Sequence, residues 1–145
     1  MKTDFKGGFS MDDHSNETRS SSGWRPKGLI LKSRLWIEDE NGEAVFGDGR
    51  LYILEAIEKH GSIHAAAHEL QMSYRALWGK IQTTERRLGQ PLLERKTGGI
   101  KGGGSALTPF ARLIIERFRR LKELTQNAME GFFEDFFAAY KSGEE

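Results

Sequence analysis

Cysteine is absent from all 145 residues. That excludes disulfides, iron–sulfur clusters and thiolate-bound zinc, and it agrees with a reducing compartment. Long apolar runs are missing as well: none approaches the roughly 20 residues that a membrane span requires. The opening stretch, MKTDFKGGFSMDDHSNETRSSSGWRPKG, has no apolar core of the signal-peptide kind. Residues 1–28 therefore read as a mobile tail, and the expected location is the cytoplasm. No nucleophile–base pair with plausible spacing stands out, so no enzyme is expected. Three histidines, His60, His64 and His68, fall near one another, but Gly61 interrupts the series and no third ligand is spaced to complete a metal site. They read as surface residues, and no metal or other cofactor is expected.

Net charge is nearly absent, at +1, yet the charges are segregated. Between residues 73 and 101 seven Lys or Arg face two Glu, whereas between 122 and 145 two Lys face six acidic residues. A near-neutral chain with one basic middle is a candidate polyanion binder.

What is present has a readable order. Branched and aromatic residues over 30–38 and 43–46 flank Asn41-Gly42, whose tolerance of positive φ predicts a β-hairpin closed by a type I′ turn. Asp48 then reads as a helix N-cap, with Leu51, Leu54 and Ile57 as the apolar stripe and Gly61 as the stop. Ser62 caps a second helix whose inward positions are Ile63, Ala66, Ala67 and Leu70. After a break at Gln71-Met72, Ser73 caps a third helix running to Leu88, with Leu77, Ile81, Thr84 and Leu88 turned inward. Two helices joined by a short break, the second one basic, form the order of a helix-turn-helix.

Once those apolar positions face the core, Tyr74, Arg75, Trp78 and Gln82 are left on the outer face of the third helix, with Lys80 nearby. Arg pairs with guanine and Gln with adenine through two hydrogen bonds, and aromatic rings pack on thymine methyls or sugars. The competing reading makes Tyr74 and Trp78 a second packing face. Next, residues 91–96 read as a short strand and residues 105–108 as its return, with five glycines between residues 98 and 104. A hairpin with a glycine tip directly after a recognition helix is a wing, able to follow a phosphate backbone through bare N–H groups. Lys96 and Lys101 flank the tip, and Gly98 and Gly99 lie within it. A flexible linker is the rival interpretation. A Walker loop is not, because Lys101 precedes the glycine triplet and no lysine precedes Ser105.

Residues 51–108 resemble the DNA-binding domain of the ModE-type, molybdate-responsive transcription regulators. The segments that carry the likeness are SYRALWGKI (Ser73 to Ile81) and PLLERKTGGIKGGGSALT (Pro91 to Thr108). The stretch GSIHAAAHELQMSYRAL is also similar to the helix-turn-helix of LysR-type regulators. The resemblance implies a mainly α protein with a little β: a winged helix-turn-helix over 29–108. It places Tyr74, Arg75 and Trp78 on the groove-facing helix and Lys96 to Gly104 in the wing. Nothing here can be matched to the family's oxyanion-binding region, so the expectation is the DNA-reading part without the sensor.

From Thr108-Pro109 a stripe that includes Phe110, Ile114, Phe118, Leu121, Met129 and Phe132 continues for some thirty residues. That is more apolar surface than a small winged domain can cover, which predicts a homodimer through a long helix at 109–145. Gly131 offers a break through which the Phe-rich end folds back. The expected function is sequence-specific, dimeric binding of double-stranded DNA in transcription. Ser62, Ser73, Tyr74, Arg75, Trp78, Lys80, Gln82, Lys96, Gly98, Gly99 and Lys101 are its candidate contacts. The alternative is a protein-interaction module that docks a partner on the Phe-rich helix.

Overall fold

In a computed structural model of the chain, residues 27–96 and 104–138 are described. The tail read at 1–28 lies outside them except for its last two residues, as do Gly98, Gly99 and Lys101 of the wing tip.

A hairpin opens the order. Strand β1 (Trp36–Glu38) pairs antiparallel with β2 (Ala44–Gly47), matching Trp36 with Gly47 and Ile37 with Phe46. The strand begins at Trp36, later than residue 30. The turn also differs from expectation. Gly42 alone takes positive φ, +78°, while Asn41 stays in the ordinary region. Asp39 holds the loop instead: its side-chain oxygen accepts from the N–H groups of Asn41 (2.9 Å) and Glu43 (3.0 Å). Its carbonyl accepts from Gly42 (3.0 Å). A short acidic side chain bonding its own backbone needs only one left-handed residue, so the closure is a three-residue loop rather than type I′.

Helix α1 (Asp48–His60) follows without a side-chain cap. Gly47 occupies the cap position, and Asp48 is the first helical residue, its carboxylate paired with Lys122. Gly61 ends the helix at φ +65° and donates to the Ile57 carbonyl (2.7 Å). Helix α2 (Ile63–Glu69) is capped by Ser62, whose hydroxyl accepts from Ala65 N–H (3.3 Å). The break contains Gln71 at φ +53°, after which Ser73 caps α3 (Tyr74–Leu88) by accepting from Ala76 N–H (3.1 Å). Gly89 closes α3 in the left-handed region.

Strands β3 (Leu93–Arg95) and β4 (Ser105–Leu107) pair antiparallel. Leu92 and Leu107 are fully buried and root this second hairpin in the core. Thr108 caps α4 (Pro109–Ala138), accepting from Ala111 N–H (3.1 Å) while donating to the Pro91 carbonyl (2.8 Å). At 30 residues α4 is about 45 Å long. It continues unbroken through Gly131 to Ala138, so the chain does not fold back at that glycine.

The core gathers Phe46, Leu51, Leu54, Ile57, Ala66, Leu77, Ile81, Leu92, Leu107, Ala111, Ile115 and Phe118. Phe118 corrects the expected dimer surface. It is 3% exposed and meets Phe46 edge-on at 5.1 Å between ring centroids. The first turns of α4 thus complete the winged domain, and the core continues across Thr108-Pro109 rather than stopping at 108. Ion pairs Asp48–Lys122, Glu55–Arg119 and Glu58–Arg112 run antiparallel along α1 and α4.

Candidate nucleic-acid interface

Helix α3 is set by three inward residues. Leu77, Ile81 and Thr84 are buried, which turns Arg75, Gly79, Gln82 and Arg86 to the opposite, exposed side at the helical repeat. Gly79 has open space around it and leaves the centre of that face low. Arg75, Gln82 and Arg86 surround it with five-donor guanidinium forks and an amide, the groups that address guanine and adenine edges.

The aromatics stand elsewhere than expected. Trp78 is half-buried and packs against the core, and Tyr74, though exposed, stacks on His64 (centroids 4.3 Å apart, planes at 24°). Both belong to the flank where α3 meets α2 and the core. Trp78 is thus shared with the packing face, because a residue one turn from Ile81 borders the buried stripe, while Tyr74 keeps its exposed place beside His64. Arg86, two turns further on, was missed: it looks like helix-end charge in the sequence and joins the outer face only through the helical repeat.

The remaining predicted positions divide by role. Ser62 and Ser73 have hydroxyls engaged as caps. Lys80 is exposed on the flank of α3 away from Trp78. Lys96 is exposed at the end of β3, its N–H bonded to the Gly104 carbonyl (2.9 Å). Of the histidines, His60 pairs with Glu69, which also accepts from Lys59 (3.2 Å).

Glu85 joins the wing to the recognition helix. One of its carboxylate oxygens accepts from Leu92 N–H (2.8 Å) and Leu93 N–H (3.3 Å), so β3 starts at a fixed place beside α3. The return strand is anchored at the α1–α2 corner, where Ser105 N–H donates to the Gly61 carbonyl (2.9 Å). A Cβ on Gly104 would lie 2.4 Å from that same oxygen. At least one glycine of the loop is therefore required by close backbone packing, apart from any role against phosphate.

A capped second helix with a basic outer face, followed by a rooted two-stranded hairpin, defines a winged helix-turn-helix DNA-binding domain. Residues 49–112 match the family described as "Bacterial regulatory helix-turn-helix protein, lysR family". That match favours DNA binding over the protein-interaction module. The chain is 38% identical over 98 residues to the Molybdenum transport protein ModE of Azotobacter vinelandii, covering 68% of this chain and 36% of that one. It is 31% identical over 94 residues to the DNA-binding transcriptional dual regulator ModE of Escherichia coli K12, covering 64% and 36%. The chain thus spans about a third of the length of the curated relatives it matches. Among solved structures, a complex of the CbnR DNA-binding domain with DNA matches 57% of this chain and 88% of that one, at 29% identity and a TM-score of 0.45.

Proposed function

We propose that the protein is a sequence-specific transcription regulator that lays α3 in the major groove of double-stranded DNA and its wing along the adjoining backbone. The observation that carries this reading is the outer face of α3, where Arg75, Gln82 and Arg86 are exposed together around Gly79. Arg75 and Gln82 read bases, while Lys96 and the wing tip supply backbone contacts. The family match and the regulator relatives support it.

A second copy completes the protein. Among the described residues the buried positions of α4 end at Phe118, yet Leu121, Leu124, Phe132 and Phe136 follow as exposed side chains, the last two at 74%. With Leu113 exposed earlier on the same helix, they form a stripe that a partner α4 covers. Phe110 and Ile114, half-buried against the core, border that stripe, and Met129 is half-buried within it. A two-fold dimer presents two recognition helices to a roughly palindromic site. Where DNA is reached from the cytoplasm, that is the compartment of action, and among the described residues no helix is long and apolar enough to cross a membrane.

The test is selection of bound duplexes from a randomised pool, read by fluorescence anisotropy and sequencing. A two-fold-related motif with steeply salt-dependent affinity is expected. Salt-dependent binding without an enriched motif would replace regulation with an architectural role. Absence of binding would return the chain to the interaction-module reading.

A further inference from the structure

Three cations converge on the flank of α3 that faces away from the wing. Lys80 and Arg87 are seven residues apart on one side of the helix, and Arg50 reaches them from the first turn of α1. Arg50 Nε donates to Thr84 Oγ1 (3.0 Å), and that hydroxyl donates to the Lys80 carbonyl (2.8 Å). Arg87 donates to the Ala44 carbonyl and to Glu43 (3.1 Å). Among the described residues Glu43 is the single carboxylate in an ion pair with any of the three. Asp48, the acid at the start of α1, is committed to Lys122. Lys80 has neither a hydrogen bond nor an ion pair from its ammonium among the described residues, and Arg50 uses only Nε.

The three like charges repel one another. Partial burial and, after it, the nearby Arg87 lower the Arg50 pKa; the water lost around its ammonium at an otherwise exposed position, and then Arg50, lower that of Lys80. Like charges partly removed from water cost the folded state unless an anion joins them. The outer ends of the Arg50 guanidinium and the three donors of Lys80 suit an oxyanion with several acceptor oxygens.

We propose that Arg50, Lys80 and Arg87 form a phosphate clamp that grips the DNA backbone on the side of α3 opposite the wing. The proposal rests on the reading of α3 as the groove helix. Glu85 fixes the wing on one flank, the basic triad occupies the other, and the base-reading face of Arg75, Gln82 and Arg86 lies between them. A duplex seated on that face brings its two strands to the two flanks. The occupant is therefore a phosphodiester of the bound DNA, with Arg87 holding the β1–β2 hairpin in place beside it.

The test compares the parent with Lys80→Gln and Arg50→Gln on a selected duplex and on a scrambled one. Each variant should weaken both duplexes about three- to tenfold and lower the log–log salt slope by about one, the signature of a lost phosphate contact. Lys80→Gln, at an exposed position whose ammonium has no hydrogen bond among the described residues, should also melt at a higher temperature than the parent, because a repelling charge is gone. Affinity and slope equal to those of the parent would overturn the clamp while leaving DNA recognition intact. Loss confined to the selected duplex would assign a base contact and overturn it too. Stabilisation of the parent by inorganic phosphate at constant ionic strength, with duplex binding unchanged in both variants, would give the site to a free anion. A parent that bound no duplex would remove the reading beneath, which separates the two failures.

Discussion

Arg75 and Gly104 show how differently single residues act in this domain. Among the described residues the Arg75 guanidinium makes no hydrogen bond or ion pair, and it stands exposed one position after the first residue of α3. Replacing it with alanine should leave the melting temperature unchanged and cost roughly 1–3 kcal/mol on the selected DNA site, with relaxed preference at one base pair. Titration against single-base variants of that site checks both. Gly104 acts through packing: a methyl group there would press on the Gly61 carbonyl at 2.4 Å. Backbone oxygen cannot swing aside as a flexible side chain would. Gly104→Ala should push β4 off the α1–α2 corner and lose the Ser105 to Gly61 hydrogen bond. Faster amide exchange at Ser105, with α3 protection retained, is the expected result; unchanged exchange would mean that the corner yields without cost.

At the scale of elements, caps and one carboxylate decide where things end and meet. Ser62, Ser73 and Thr108 each accept from a helix N–H three residues on, which fixes the starts of α2, α3 and α4. Glu85 performs the same service for a strand. Its removal leaves the N–H groups of Leu92 and Leu93 without their acceptor at a place where Leu92 is fully buried. Glu85→Ala should therefore destabilise the domain by about 1–3 kcal/mol in chemical denaturation. It should also weaken DNA binding through a misplaced wing, whereas Glu85→Gln keeps an acceptor oxygen and should do less of both. Equal stability of the alanine variant would show that the wing is held by Leu92 and Leu107 alone.

For the molecule as a whole, α4 serves two surfaces in succession. Its early turns supply Ala111, Ile115 and Phe118 to the core, and its later turns leave Leu121, Leu124, Phe132 and Phe136 exposed. Phe118→Ala should cost about 3–5 kcal/mol, because it opens a cavity against Phe46. Domains of this kind are stable by only some 5–15 kcal/mol, so a large part of the folded margin would go. Phe132→Glu should behave in the opposite way, with stability of the winged domain retained and the mass in sedimentation equilibrium halved. A variant that keeps the parental mass would move the dimer interface away from the end of α4.

Much of this organisation is written in local chemistry. The helix-turn-helix order, the stops at Gly61 and Gly89, the caps at Ser62, Ser73 and Thr108, and the hairpin after α3 follow from capping preferences, left-handed glycines and apolar spacing, all of which act over a few residues. The motif that carries the family likeness was legible for the same reason, since the wing follows its helix directly in the chain. Other features depend on which surfaces meet across long separations. Asp48 could be taken for a cap until Lys122, 74 residues later, drew its carboxylate away. Trp78 and Tyr74 belonged equally well to either face of α3 until the core and His64 covered one side of each. A continuous stripe on α4 cannot by itself divide its residues between an inner core and an outer partner; packing does that, with Phe118 buried edge-on against Phe46 and Leu121 and Leu124 left exposed. Arg50 joins Lys80 and Arg87 for the same reason. Sequence determines what each element is and where it ends, through contacts a turn or two away, while the assignment of faces waits for the packing of elements far apart in the chain.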